Sequence, residues 1–167
     1  AASDVYKRQP KTFRDYNRVA SFFTRGCNAA SPTQYGSTVA IGNVVVSPSE
    51  FMPRLFAENG RLLDSQGRIT LDTPEALRAL ENYRETYSYS DRTIYDFWKN
   101  ALEGFADGTA AMTVVFINYA SHILNSQMSR IAGKLGFAPV PGGKPLLGGG
   151  VIGIAQSCTL SLIHISE

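Results

Sequence analysis

From Thr12 onward the apolar positions recur with a helical period: Phe13, Tyr16, Val19, Ala20 and Phe23 make one stripe. Thr12 precedes the stripe as an N-cap and Asp15 stands at the third helical position, a capping-box arrangement. Gly26 predicts the stop, and a loop rich in Asn, Ser and Pro follows from Asn28 to Thr33. Tyr35–Ile41 reads as a strand broken by Gly42-Asn43. Pro48 opens a second helix through Phe51, Leu55 and Phe56, closed near Asn59-Gly60. Leu62-Leu63, a turn at Asp64–Gly67 and Arg68–Thr70 predict a small hairpin.

The strongest helical signal comes next. Asp72 or Thr73 caps it, Pro74 and Glu75 sit in its first turn, and Ala76, Leu77, Leu80, Tyr83 and Tyr87 lie along one side. A polar, aromatic stretch leads to a further helix whose buried stripe is Phe97, Ala101, Leu102 and Phe105, ended by Gly108. Ala110–Val115 is a continuous apolar run, the pattern of a strand covered on both faces. Ile117–Asn125 reads as helical, Leu135–Val140 as a strand, Pro141-Gly142-Gly143 as a turn and Gly148–Ala155 as a glycine-laced strand. Helices alternating with short buried strands predict an α/β fold.

The two ends change which residues count. Residues 1–9 can be encoded by a string resembling the transposase adaptor used in DNA sequencing libraries, and Leu160–Glu167 by one resembling its opposite-end partner. Two such matches in the correct orientation lead us to expect that 1–9 and 160–167 are adaptor-derived. The native stretch is then 10–159, read from environmental DNA and truncated on both sides. On that expectation His164 carries no function and His122 is the one native histidine.

Hydrophobic residues make up 44% and charged residues 18% of the 167, as in globular domains. The formal charge is +2, and it stays so without Asp4, Lys7, Arg8 and Glu167. The basic residues are scattered and form no stripe to follow a phosphate backbone, so nucleic acid is not an expected partner. No apolar run approaches the roughly 20 residues that span a bilayer. Cys27 and Cys158 match no metal spacing and no CxxC motif, and are expected to be small buried or half-buried thiols.

Motifs for catalysis are absent: there is no HExxH, GxSxG, P-loop or CxxC. Gly148-Gly149-Gly150 lacks GxGxxG spacing and precedes strand-like residues, against a dinucleotide site. His122 is expected to be a surface or packing residue. No carboxylate pair stands out for glycoside cleavage. Neither catalytic residues, nor a metal site, nor a cofactor is expected.

Four segments, in order, are similar to the extracellular solute-binding family 1, the maltose-binding-protein-like components of ABC importers. They are Lys11–Tyr16 (KTFRDY), Leu71–Ala76 (LDTPEA), Ala101–Thr113 (ALEGFADGTAAMT) and Gly133–Gly150 (GKLGFAPVPGGKPLLGGG). The resemblance implies a periplasmic-binding-protein type II-like fold, of which 10–159 would be most of the C-terminal lobe and incomplete. It also implies a monomer that binds a small polar solute, foremost a carbohydrate, between two lobes and delivers it to ABC permease membrane subunits. The full-length protein would be extracellular or periplasmic and lipid-anchored. Two other readings stay open: a fragment of an α/β hydrolase or transferase, and a two-lobed ligand sensor.

Ligands of open α/β sheets bind outside the carboxyl ends of strands. After Ala110–Val115 this selects Phe116, Asn118 and Tyr119; after Tyr35–Ile41 it selects Asn43, Glu50 and Phe51. In a sugar-binding member of the family a stacking Trp sits in the first of these loops, at the place of Asn118; Phe116 or Tyr119 are the aromatic substitutes, or else core residues. Gly148, Gly149 and Gly150 resemble the family's Gly-Gly-Trp, with Gly150 in the Trp place; Gly149 and Gly150 complete the expected site.

Overall fold

A computed structural model describes residues 9–42, 44–93 and 98–148. Helix α1 (Phe13–Phe22) starts as the sequence predicts: the Thr12 hydroxyl accepts the Asp15 N–H at 3.1 Å, and the Asp15 carboxylate accepts the Thr12 N–H at 3.3 Å. Such a reciprocal cap satisfies two donors that a helix start leaves orphaned. Thr12→Ala is expected to cost about 1 kcal/mol in urea denaturation, with no change in folded-state spectra.

Strand β1 (Tyr35–Ser37) pairs in parallel with β2 (Ala110–Met112), Tyr35 opposite Ala110 and Ser37 opposite Met112. Parallel neighbours need a crossover. Here it runs through α2 (Val46–Ala57), α3 (Pro74–Ser88) and α4 (Trp98–Ala106). The ladder is shorter than Tyr35–Ile41 and Ala110–Val115. One more step survives beyond it, the Thr38 N–H donating to Met112 O at 3.1 Å. Val39 and Ala40 are nevertheless buried.

Helix α2 begins two residues before Pro48, which fits because the first-turn N–H groups have no helical acceptor. It closes where expected: Asn59 has φ 63° and the Gly60 N–H returns to Leu55 O at 2.9 Å. The predicted hairpin is present as a Leu63–Ile69 antiparallel bridge. Thr73 caps α3 by accepting the Ala76 N–H, and Gly108 stops the chain after α4 with φ 77°.

The buried face of α3 differs from the expected one. Leu77 and Leu80 are exposed by 58% and 54%, while Ala76, Ala79, Tyr83 and Thr86 face inward. The reason is α2: Leu55 packs on Ala76 and Ala79, where small side chains let the helices approach, and Phe51 and Met52 pack against the same cluster. A second cluster joins Ala40, Val46 and Ala101.

Two further expectations need correction. Leu135–Val140 joins no ladder among the described residues, and Phe137 is 51% exposed. Its strand-like composition is not matched by pairing with β1 or β2 among the described residues. Cys27 is exposed, because it falls in the turn after α1 and not on a packed element. Cys158 and nearly all of Gly148–Ala155 lie outside the described residues, as does Phe97. Ile117–Asn125 forms a 3₁₀ turn (Ile117–Tyr119) and a short helix α5 (Ala120–Leu124).

Candidate functional site

The carboxyl end of β2 opens into a cavity of about 730 Å³. Its floor is the continuation of β2, Thr113 to Phe116. Ser49, Glu50 and Pro53 of α2 and residues of the run from Leu135 to Gly148 complete the lining. This explains why the apolar run Ala110–Val115 is only half-buried beyond Ala110: one side of it faces the cavity.

Phe116 lines the cavity and is half-buried. Gly148 lies against its ring, and a Cβ there would stand 2.8 Å from Cε1. Asn118 lines the same cavity and is exposed. The two segments selected from the sequence therefore share one concavity, with Phe116 and Asn118 on one and Glu50 on the other. Tyr119 is half-buried and lies off the cavity lining. Phe51 also does not line the cavity; it packs instead against Leu55, Ala76 and Ala79, because one helical position beyond Glu50 rotates the side chain toward α3. Asn43, Gly149 and Gly150 lie outside the described residues.

Glu50 is 7% exposed. Its carboxylate accepts the Ala40 N–H at 3.3 Å and pairs with the Arg54 guanidinium at 3.2 Å. Burial raises its pKa above the ordinary carboxylate range, and the Arg54 charge, the Ala40 N–H and the Arg54 hydrogen bond oppose that rise. Arg54 is 2% exposed and stacks over the rings of Phe13 at 4.6 Å and Tyr83 at 5.0 Å. Its Nη2 reaches Thr86 Oγ1 at 3.4 Å, and Thr86 in turn donates to Asn17 Oδ1 at 2.6 Å.

Sequence reasoning missed Tyr16 as a lining residue, because its helical register marks it as core. It is both: its hydroxyl shares a 2.7 Å hydrogen bond with Ser37 Oγ, and burial pushes its pKa up to about 12. Tyr83, whose hydroxyl donates to Ala40 O at 3.1 Å, is also pushed up to about 12 by burial. His122 is half-buried on α5 and does not line the cavity. Among the described residues no group of three or more His, Cys, Asp or Glu could hold a metal, and no helix is long and apolar enough to cross a membrane.

A largely apolar cleft with a few polar groups at the end of a parallel strand is the geometry of a small-molecule site. The chain is also similar to known proteins. The chain superposes on a solute-binding protein of an ABC transporter from Agrobacterium radiobacter K84, solved with ribitol, at TM-score 0.69 and 25% identity, covering 80% of this chain and 33% of that one. The fold is that of a periplasmic solute-binding protein. A second such protein, from Agrobacterium vitis S4 with D-mannitol bound, gives TM-score 0.69 at 19% identity, over 79% of this chain and 31% of that one. Maltose-bound MalE3 of T. maritima gives 0.66 at 24% identity, over 86% and 37%.

In sequence, the chain is 26% identical over 116 residues to YcjN of Escherichia coli (strain K12), a protein assigned as an ABC transporter periplasmic-binding protein. That match covers 70% of this chain and 25% of YcjN. The chain is thus related to ABC-transporter periplasmic-binding proteins, and spans about a quarter of that curated relative. No family model matches it. The solved relatives are binding proteins.

Proposed function

We propose that the chain is part of an extracellular or periplasmic solute-binding protein of an ABC importer. Its cavity supplies one side of a cleft for a neutral sugar or polyol. The observation that carries this reading is the shared concavity at the carboxyl end of β2, where Phe116, Asn118 and Glu50 converge. An aromatic face stacks on the C–H face of a polyol, and the amide and carboxylate hydrogen-bond its hydroxyls. The ribitol, mannitol and maltose complexes of the structural relatives favour this ligand class.

In this reading residues 10–159 are the native part and most of a C-terminal lobe, and the full-length protein closes a second lobe over the solute before docking on permease subunits. It carries no catalytic residues, is monomeric and is lipid-anchored. The isolated chain then binds sugars more weakly than millimolar, since half a cleft leaves most of the ligand in water.

A thermal-shift screen of the full-length protein against pentitols, hexitols and malto-oligosaccharides tests the proposal. One solute at about a hundredfold excess over its Kd is expected to add about 2.7 kcal/mol of stability. Turnover of a chromogenic glycoside, with no solute stabilising the fold, would overturn it in favour of a hydrolase.

A further inference from the structure

The Glu50–Arg54 ion pair is a feature that packing alone does not explain. Both side chains are almost fully buried, at 6% and 2% exposure. Replacing such a pair with apolar residues is often neutral or stabilising, because two charges must be stripped of water. Yet here the pair stands behind a cavity wall. Glu50 lines the cavity and Arg54 does not.

Among the described residues lining the cavity, Glu50 is the one acidic side chain, and none is Lys, Arg or His. Ala40 N–H and Arg54 engage one position on each carboxylate oxygen. A carboxylate offers about four lone-pair sites and donates nothing when ionised.

Resting on the reading of the cavity as a solute site, we propose that Arg54 is a positioning residue that holds Glu50 as an anionic hydrogen-bond acceptor in the wall, and that the pair makes the site select neutral polyhydroxyl solutes over anionic ones such as sugar acids. The chemistry follows from the charges. Hydroxyl groups donate to the carboxylate in charge-assisted bonds, which are the strong ones in a low-dielectric cleft. A carboxylate on the solute meets the negative end of the ion pair there, and no cation lines the described cavity to bind it directly. Arg54 is kept out of reach: it lies over the rings of Phe13 and Tyr83 and is tied to Thr86, so it fixes Glu50 without touching the solute.

The test is an NMR titration of the full-length protein with a hexitol and with the aldonate of the same carbon chain. The Phe116 ring signals and the Glu50 carboxyl carbon are followed at concentrations high enough to read weak binding. The hexitol is expected to move both resonances, with an apparent preference over the aldonate of about tenfold or more. Glu50→Gln is expected to erase the preference while the Phe116 signals still respond. Arg54→Lys is expected to keep it and Arg54→Met to lose it. A Glu50→Gln chain that retains the wild-type preference overturns the proposal and leaves the solute site standing, as does a wild type that takes the aldonate equally well. Retention of the preference in folded Arg54→Met removes the role of Arg54. A wild type whose Phe116 and Glu50 respond to neither solute overturns the proposal together with the reading of the cavity.

Discussion

Replacing Gly36 with alanine is expected to unfold the chain or to cost more than about 4 kcal/mol, the range reserved for severe packing faults. Gly36 sits in β1 where α1 crosses it, and a Cβ built there would lie 1.7 Å from the carbonyl oxygen of Ala20. That atom is backbone within a helix, so the clash cannot be relieved by a rotamer change. The strand would have to leave the helix, breaking the neighbouring bonds of the Gly36 N–H to Thr24 Oγ1 and Tyr89 O. Domains of this size keep only about 5–15 kcal/mol of net stability. Gly26→Ala is the control: nothing lies within 4 Å of its Cβ position. It is expected to change stability by about 1 kcal/mol or less. Urea denaturation followed by circular dichroism reads both. A Gly36→Ala chain as stable as wild type would contradict the packing of α1 on β1.

Arg54→Met is expected to destabilise the fold by about 3–5 kcal/mol at neutral pH, because it strands the buried Glu50 carboxylate without its partner. The pH dependence gives the cause away. Burial already holds the folded-state pKa of Glu50 above its ordinary value of 4.5, and Arg54 is the first of the groups that pull it back down. Removing Arg54 raises it further. A group raised in the folded state contributes stability that is fully present below its unfolded pKa and is lost as pH rises through the folded value. The deficit of Arg54→Met is therefore largest at neutral pH and shrinks as pH falls toward 4.5. Adding Glu50→Gln is expected to recover most of the loss at neutral pH, since no buried charge is then left unpaired. Urea midpoints measured across that pH range decide the matter. An equal deficit at every pH would mean that Arg54 acts through its packing on Phe13 and Tyr83 alone.

Local signals in the sequence were reliable where the chemistry is local. The Thr12–Asp15 capping box, the Thr73-Pro74 helix start and the Asn59-Gly60 and Gly108 stops are all where the residues place them. The strand-end rule brought Phe116, Asn118 and Glu50 to one cavity because it depends on topology and not on packing detail. What was not legible depends on which face of a helix meets its neighbour. On α3 the two leucines outweigh Ala79 and Thr86 in any apolar count, yet Leu55 needs the small residues. Buried polar groups are hard to see in the same way: nothing in the sequence marks Arg54, four residues after Glu50, as its buried partner, yet both are among the most buried side chains. Leu135–Val140 carries a strand pattern, but composition alone does not make a strand, and among the described residues the run pairs with neither β1 nor β2. Gly36 was read as an ordinary strand residue; a glycine inside a strand often marks a close backbone approach, and here it does.

Calorimetric titration of the full-length protein with the solute that stabilises it, before and after Phe116→Ala, is the most direct check on the cavity as one wall of a solute-binding cleft. Loss of at least about 1 kcal/mol of binding energy, with the fold intact, is the expected result for a stacking ring in such a site. An unchanged Kd in a folded Phe116→Ala protein would show that the solute is held elsewhere and would contradict the account.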